Sequence, residues 1–221
     1  MAHEPSQPAI LLLGPTGSGK TPLGQLLSQC GLWRRRCHHF DFGAELRRAV
    51  ASKKPLKPFT KEDISVIRLV LSTGALLNDR QFGIAMKTLT CFLSRAHTRK
   101  KDIIVLNGLP RHTQQAKGIG AMFDIGLVVF LSCSGRCVID RIACNAGGDR
   151  TDRIDDSRAD IAAKLLVFKK RTRQLIAYYR RHRVPVKSIK VEIDTKPADI
   201  LRLLQTMKSA DSSTLTSGGT K

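Results

Sequence analysis

A glycine-rich turn set between an apolar run and an amphipathic helix constrains this chain more than any other feature. Gly14-Pro15-Thr16-Gly17-Ser18-Gly19-Lys20-Thr21 fits the spacing G-x-x-x-x-G-K-[ST]. It follows the strand-length run Ile10–Leu13. It precedes Leu23, Leu26, Leu27 and Cys30, which fall on one face of a helix that Gly31 is placed to stop. Glycines let successive backbone N–H groups point into one anion-sized hollow, and the helix N-terminus adds partial positive charge there. Lys20 supplies a mobile cation for terminal phosphates, and the Thr21 hydroxyl suits Mg²⁺. Gly14, Gly17, Ser18, Gly19, Lys20, Thr21 and Pro22 are thus the expected hold on a nucleoside triphosphate.

The remainder alternates short β runs with helix-length segments. Strands are expected at Ile10–Leu13, Cys37–Phe40, Ile103–Leu106, Leu127–Leu131 and Ile189–Ile193. That spacing predicts an α/β domain with a parallel sheet and crossover helices. Ile161, Leu165, Phe168, Leu175 and Tyr179 form an apolar helical stripe, with Lys169, Lys170, Arg171, Arg173 and Arg180 on the other face. A last helix is expected over about 197–207, a flexible start over 1–8 and a disordered Ser/Thr/Gly-rich tail over 209–221.

Composition narrows the partners. Lys and Arg number 38 against 18 Asp and Glu, a formal charge of +20, so polyanions are attracted; the 5% aromatic content argues against a base-stacking surface over most of the chain. No run approaches the ~20 apolar residues a membrane span needs, and no secretory signal pattern is present. The six cysteines contain no CxxC pair, which predicts free thiols and a cytoplasmic setting. His38 and His39 are adjacent, face opposite sides of a strand and do not chelate one ion.

Four further segments choose among phosphate-loop proteins. They are Phe42-Gly43-Ala44-Glu45-Leu46-Arg47, Gly74-Ala75-Leu76-Leu77-Asn78-Asp79, Asn107-Gly108-Leu109-Pro110-Arg111 with Gln115, and Asp140-Arg141 followed by Arg153-Ile154-Asp155-Asp156. In this order they resemble T-G-D-x-L-R, G-x-L-V-P-D, D-G-F-P-R-x-x-x-Q, and the D/E-R and R-x-D-D that bound a lid. The chain thus resembles the adenylate kinase family of nucleoside monophosphate kinases, as a divergent member. The resemblance runs from about 10 to 204.

The resemblance implies a five-stranded parallel sheet flanked by helices, a helical acceptor-binding insert over about 42–90 and a short lid over about 141–158. Only 11 residues separate Arg141 from Arg153. It implies MgATP as donor, with Mg²⁺ reached through the Thr21 hydroxyl, and AMP as acceptor. Lys20, Arg111, Arg141, Arg153 and Lys164 would be the catalytic cations, with Arg141 also on the ATP. Phe42, Gly43, Arg47, Ala75, Leu76, Leu77, Gly108, Arg111, Gln115, Arg153 and Lys164 would hold the acceptor, as would suit a monomeric enzyme. The chemistry agrees, because in-line transfer between two anionic nucleotides needs cations and exclusion of water rather than a covalent step.

Several positions depart from the pattern. Asn107 and Ala44 stand where the family has aspartates, Phe42 where it has threonine, Lys164 where it has arginine, and Asn145 where many relatives have a lid arginine. Loss of two carboxylates weakens metal positioning unless Asp41 or Glu45 substitutes in space. Two alternatives stay open: a UMP/CMP-type kinase of the same fold, or a catalytically weak ATP-binding protein that holds RNA or another polyanion on its basic surface.

Overall fold

Five strands pair in parallel in the order β2-β3-β1-β4-β5: β1 (Gln7–Leu13), β2 (Cys37–Asp41), β3 (Ile103–Asn107), β4 (Phe123–Ser132) and β5 (Val186–Lys190). The structure is a computed structural model that describes residues 7–52, 57–75, 77–148 and 158–207, with side chains at 158–160, 163, 164 and 167 outside the description. Around the sheet lie α1 (Lys20–Cys30), α2 (Phe42–Ala51), α3 (Lys61–Thr73), α4 (Phe82–Ala96), α5 (Thr113–Gly120), α6 (Gly135–Ala143), α7 (Arg158–Arg181) and α8 (Pro197–Thr206). This is the phosphate-loop α/β architecture that the sequence implied. Among the described residues, no helix is long and apolar enough to cross a membrane.

Strand alternation sorts the apolar side chains onto two faces. Leu11, Leu13, Phe40, Ile104, Leu106 and Val128 join one core with residues of α2, α3, α4, α5 and α7. Ile10, Leu12, Cys37, Ile103, Val105 and Leu127 join the other with α1 and α8. Both cores are closed at the centre: Leu11, Leu23, Leu27, Ile104 and Leu106 are fully buried. Each such side chain contributes about 1.5–3 kcal/mol relative to exposure.

Three strand boundaries differ most from expectation, and β4 begins at Phe123 rather than Leu127. β1 begins at Gln7, because Gln7 and Pro8 pair with Phe123 and Asp124, so the flexible start expected over 1–8 loses its last two residues. Pro8 lies before the β1–β3 pairing begins at Ala9, so its missing N–H removes no rung from that ladder. The fifth strand lies at Val186–Lys190 rather than Ile189–Ile193. After it, Glu192–Thr195 closes a turn in which the Glu192 N–H donates to Thr195 Oγ1 at 2.8 Å. β5 is an edge strand with one buried residue, Ile189, so its apolar signal is weak.

The order of strands fixes the site. The chain passes from β1 out to β2, returns through β3, and then crosses β1 to β4. Open α/β sheets bind ligands at the carboxyl edge where that reversal occurs. The helices α2, α3 and α4 follow β2 as an insert that reaches Ala96, a few residues past the expected limit. Thr60 and Asp63 cap α3 reciprocally, with N–H donations of 3.2 and 2.9 Å.

Candidate active site

The turn after β1 curls tightly. Gly17 has φ +74, and a Cβ there would sit 2.9 Å from Ile142 Cγ1, so both conformation and space demand glycine. Ser18 is buried. Lys20 Nζ donates to the Gly14 and Pro15 carbonyls at 2.8 and 2.7 Å, which folds the ammonium over the hollow of the loop. Pro22 lies in the first turn of α1, where no intrahelical N–H is needed.

Arg141 closes the back of this loop. It lies inside α6 and is only 3% exposed. Its Nε donates to the Gly17 carbonyl at 3.1 Å, and its Nη1 donates to the Glu192 and Ile193 carbonyls at 2.6 and 2.8 Å. Arg141, expected at the opening of the lid, stands inside α6 as a buried brace behind the glycine-rich loop. Its Nη2 remains near the mouth, 3.4 Å from where a Gly19 Cβ would stand.

Asp41 ends β2, Asn107 ends β3, and the two are register partners in the parallel ladder. Asp41 Oδ1 caps α2 by accepting the Ala44 N–H at 3.0 Å. Its Oδ2 accepts the Thr21 hydroxyl at 2.6 Å and the Asn107 amide at 3.0 Å. Asn107 also donates to Thr21 Oγ1 at 3.1 Å and lies 3.4 Å from His39 Nε2. His39 packs against α1 so closely that a Cβ on Gly24 would fall 2.2 Å from its ring. Glu45, the other carboxylate considered for this place, is engaged elsewhere, accepting from Arg95 at 2.6 Å.

Electrostatics follow from these contacts. Burial alone would raise the Asp41 pKa, but the Thr21 hydroxyl, the Ala44 N–H and the charges of His39 and Arg47 outweigh it and hold the carboxyl below its ordinary value. Burial lowers the His39 pKa, with Asp41 opposing. Burial pushes the Cys37 thiol up to about 12, an inert core cysteine.

A second turn, Gly108–Arg111, follows β3 at the same edge. Gly108 takes φ +85. Arg111 Nε donates to the Gly108 carbonyl at 2.8 Å, and the Arg111 N–H donates to Gln115 Oε1 at 2.8 Å. Gln115 is buried and braces the loop through its carbonyl end. Burial lowers the Arg111 pKa, Asp41 opposes this, and Arg171 on α7 adds to it. Arg171 bears in the same way on His112, which stands 3.5 Å from Asp79. The Arg47 guanidinium lies over Gly43, 3.5 Å from where its Cβ would be.

Other expected residues are turned into the core or lie outside the described residues. The Phe42 ring turns into the core beside Phe40, with centroids 6.1 Å apart, so only its backbone borders the site. Leu77 is likewise buried, while Ala75 is exposed. Leu76, Arg153 and the Lys164 side chain lie outside the described residues. Sequence reasoning undervalued Asp41, His39 and Arg171. Period-two alternation already put His39 and Asp41 on one face, but Arg171 read as part of a solvated helix face.

A phosphate loop, an arginine-bearing turn after β3 and a helical insert after β2 now meet at one edge of a five-stranded parallel sheet. The chain is similar to adenylate kinases. The adenylate kinase of Encephalitozoon cuniculi is 26% identical over 174 residues, 78% of this chain and 84% of that protein. Adenylate kinase 1 of Drosophila melanogaster is 26% identical over 174 residues, 78% of this chain and 69% of its own length. The adenylate kinase of Prochlorococcus marinus is 26% identical over 192 residues, 85% and 90% of the two chains. No protein-family model matches the chain.

Proposed function

We propose that the protein is a nucleoside monophosphate kinase that moves the γ-phosphoryl of MgATP to AMP, giving two ADP. The observation that carries this is the juxtaposition of two anion-binding turns. Lys20 and Thr21 after β1 and Arg111 after β3 share one edge, and the Thr21 hydroxyl and Asn107 amide touch at 3.1 Å between them. The similarity to adenylate kinases supports it.

An oxygen of the acceptor phosphate attacks the γ-phosphorus, and the bond from that phosphorus to the ADP oxygen breaks. The loop N–H groups and Lys20 bind the ATP phosphates, with Arg141 behind them. Arg47 and Arg111 hold the acceptor phosphate, joined by Arg153 and Lys164 in the resemblance. Gln115 favours adenine as the acceptor base. Mg²⁺ bound with ATP supplies charge neutralisation, and the Thr21 hydroxyl and Asp41 carboxylate, 2.6 Å apart, are the hard oxygen donors that suit it. The cysteines Cys30, Cys37, Cys91, Cys133, Cys137 and Cys144 are free, which supports a reducing, cytoplasmic setting.

The test incubates purified protein with MgATP and AMP, UMP, CMP or GMP separately, with Lys20→Ala as control. ADP formed with AMP alone, and lost in the variant, is the expected result. Transfer to UMP or CMP would move the assignment to that kinase type, and no transfer at all would defeat the enzyme reading.

RNA binding is the second reading, and a groove of about 570 Å³ between α5 and α7 favours it. Lys117, Arg173, Arg181 and Tyr178 line it, with no acidic residue among its lining. The Tyr178 ring also meets His182 at 4.2 Å, an aromatic surface among cations. RNA affinity that falls steeply with salt would support this use, and salt-insensitive or absent binding would remove it.

A further inference from the structure

We propose that Asp41 is the metal-positioning carboxylate of this chain. From the end of β2 it does what the family pattern assigns to an aspartate at the Asn107 position on β3. This rests on the kinase reading for the presence of MgATP, and it assigns a role that the motif comparison left vacant.

The two positions are linked by the sheet. Asp41 and Asn107 are paired in the β2–β3 ladder, so their side chains rise from the same face one strand spacing apart, about 4.8 Å. Moving a carboxylate from one to the other keeps it beside the Thr21 hydroxyl at the head of α1. The contacts agree with such an exchange. Asp41 divides its oxygens: Oδ1 caps α2, and Oδ2 faces Thr21 at 2.6 Å. Asn107 is only 4% exposed and turns its amide donor to that same Oδ2 at 3.0 Å. An aspartate at 107 would put two carboxylates in contact at this point, and like charges that close do not both stay ionised. An amide removes the conflict and adds a hydrogen bond, so the carboxylate at 41 and the amide at 107 are complementary.

Competing assignments are weaker. Glu45 is held by Arg95 on the other side of α2. Among the described residues, no cluster of three or more His, Cys, Asp or Glu could cage a metal by itself. One carboxylate and one hydroxyl, completed by substrate phosphates and water, is the donor set that Mg²⁺ accepts. A capping role alone would use one oxygen and would not explain why the other is shared between Thr21 and Asn107.

The experiment uses Mn²⁺ as a probe. Mn²⁺ is titrated into ATP-saturated protein, and free Mn²⁺ is followed by electron paramagnetic resonance, with ATP alone as the floor. Wild type, Asp41→Asn and Asp41→Asn/Asn107→Asp are compared. Asparagine keeps the helix cap and the shape of the site, and superimposable far-UV circular dichroism checks the fold. The expected result is an affinity about 10-fold weaker in Asp41→Asn, returning to within about threefold of wild type in the double variant. Unchanged affinity in Asp41→Asn overturns the assignment. So does a folded double variant as weak as the single one, or a wild type no tighter than ATP alone. The kinase reading fails separately. Loss and rescue of Mn²⁺ affinity without transfer to any monophosphate upholds Asp41 and defeats the kinase. Transfer with unchanged Mn²⁺ affinity in Asp41→Asn does the reverse.

Discussion

The phosphate loop and the ends of β2 and β3 lie side by side at one edge of the sheet, yet they have treated the family pattern differently. In the loop every patterned position is kept. At the end of β3 and in the first turn of α2, just past β2, Asn107, Phe42 and Ala44 depart from it. The loop works through its backbone: carbonyls fix Lys20, and Gly17 takes φ +74 with no room for a Cβ. A side chain cannot be moved elsewhere to do that work. A carboxylate acts as a charge at a point, and the parallel ladder offers a second Cα one strand away from which to reach it. Backbone-built sites are therefore held to one sequence, and side-chain-built sites can be reassigned among neighbours.

The largest expected break in that comparison is Lys20→Ala, which should lower phosphoryl transfer by about 10³-fold, as loss of a charge-stabilising donor does. Substitution of Arg141 comes next. Arg141→Met strips donors from the Gly17, Glu192 and Ile193 carbonyls and should cost about 2–4 kcal/mol in denaturant unfolding. A cost under about 0.5 kcal/mol would show that the loop does not depend on its brace.

Gly17→Ala and Gly43→Ala sharpen the contrast directly. At Gly17 the left-handed backbone and the Ile142 contact at 2.9 Å predict a penalty of about 1–3 kcal/mol, read as lost ATP affinity. At Gly43, in the first turn of α2, a Cβ meets Asp41 Oδ1 at 3.4 Å with no strained φ, so the change should stay below about 1 kcal/mol in a melting experiment. Equal penalties would remove the distinction between the two regions.

The smallest effect concerns Asp63, which ties α3 to α4. Burial alone would raise its pKa, but Lys87 Nζ at 2.6 Å and the Thr60 cap outweigh burial and lower it from 3.8. A depressed carboxyl contributes stability that is full above its unfolded pKa and lost as pH falls through the lower folded value. Asp63→Asn should therefore flatten the acid limb of unfolding below pH 3.8 and leave the neutral limb parallel to wild type. A parallel acid limb would show that the pair with Lys87 carries no linkage.

What the sequence determined by itself was whatever depends on local chemistry. A strand, a glycine turn and an amphipathic helix in succession state a phosphate site, since all its parts lie within Ile10–Cys30. The central strands announced themselves through uninterrupted apolar residues, whereas edge strand β5, with a single buried residue, slid by three positions. The sequence also showed that a family carboxylate was missing at 107. Only the tertiary structure shows which carboxylate lies beside that position, because Asp41 and Asn107 are 66 residues apart and become neighbours solely through the β2–β3 register. It likewise showed Arg141 as a buried brace and set the charge of Arg171 against Arg111. A side chain's role at a shared edge follows from which strands lie next to one another, and that adjacency is set by packing over the whole domain.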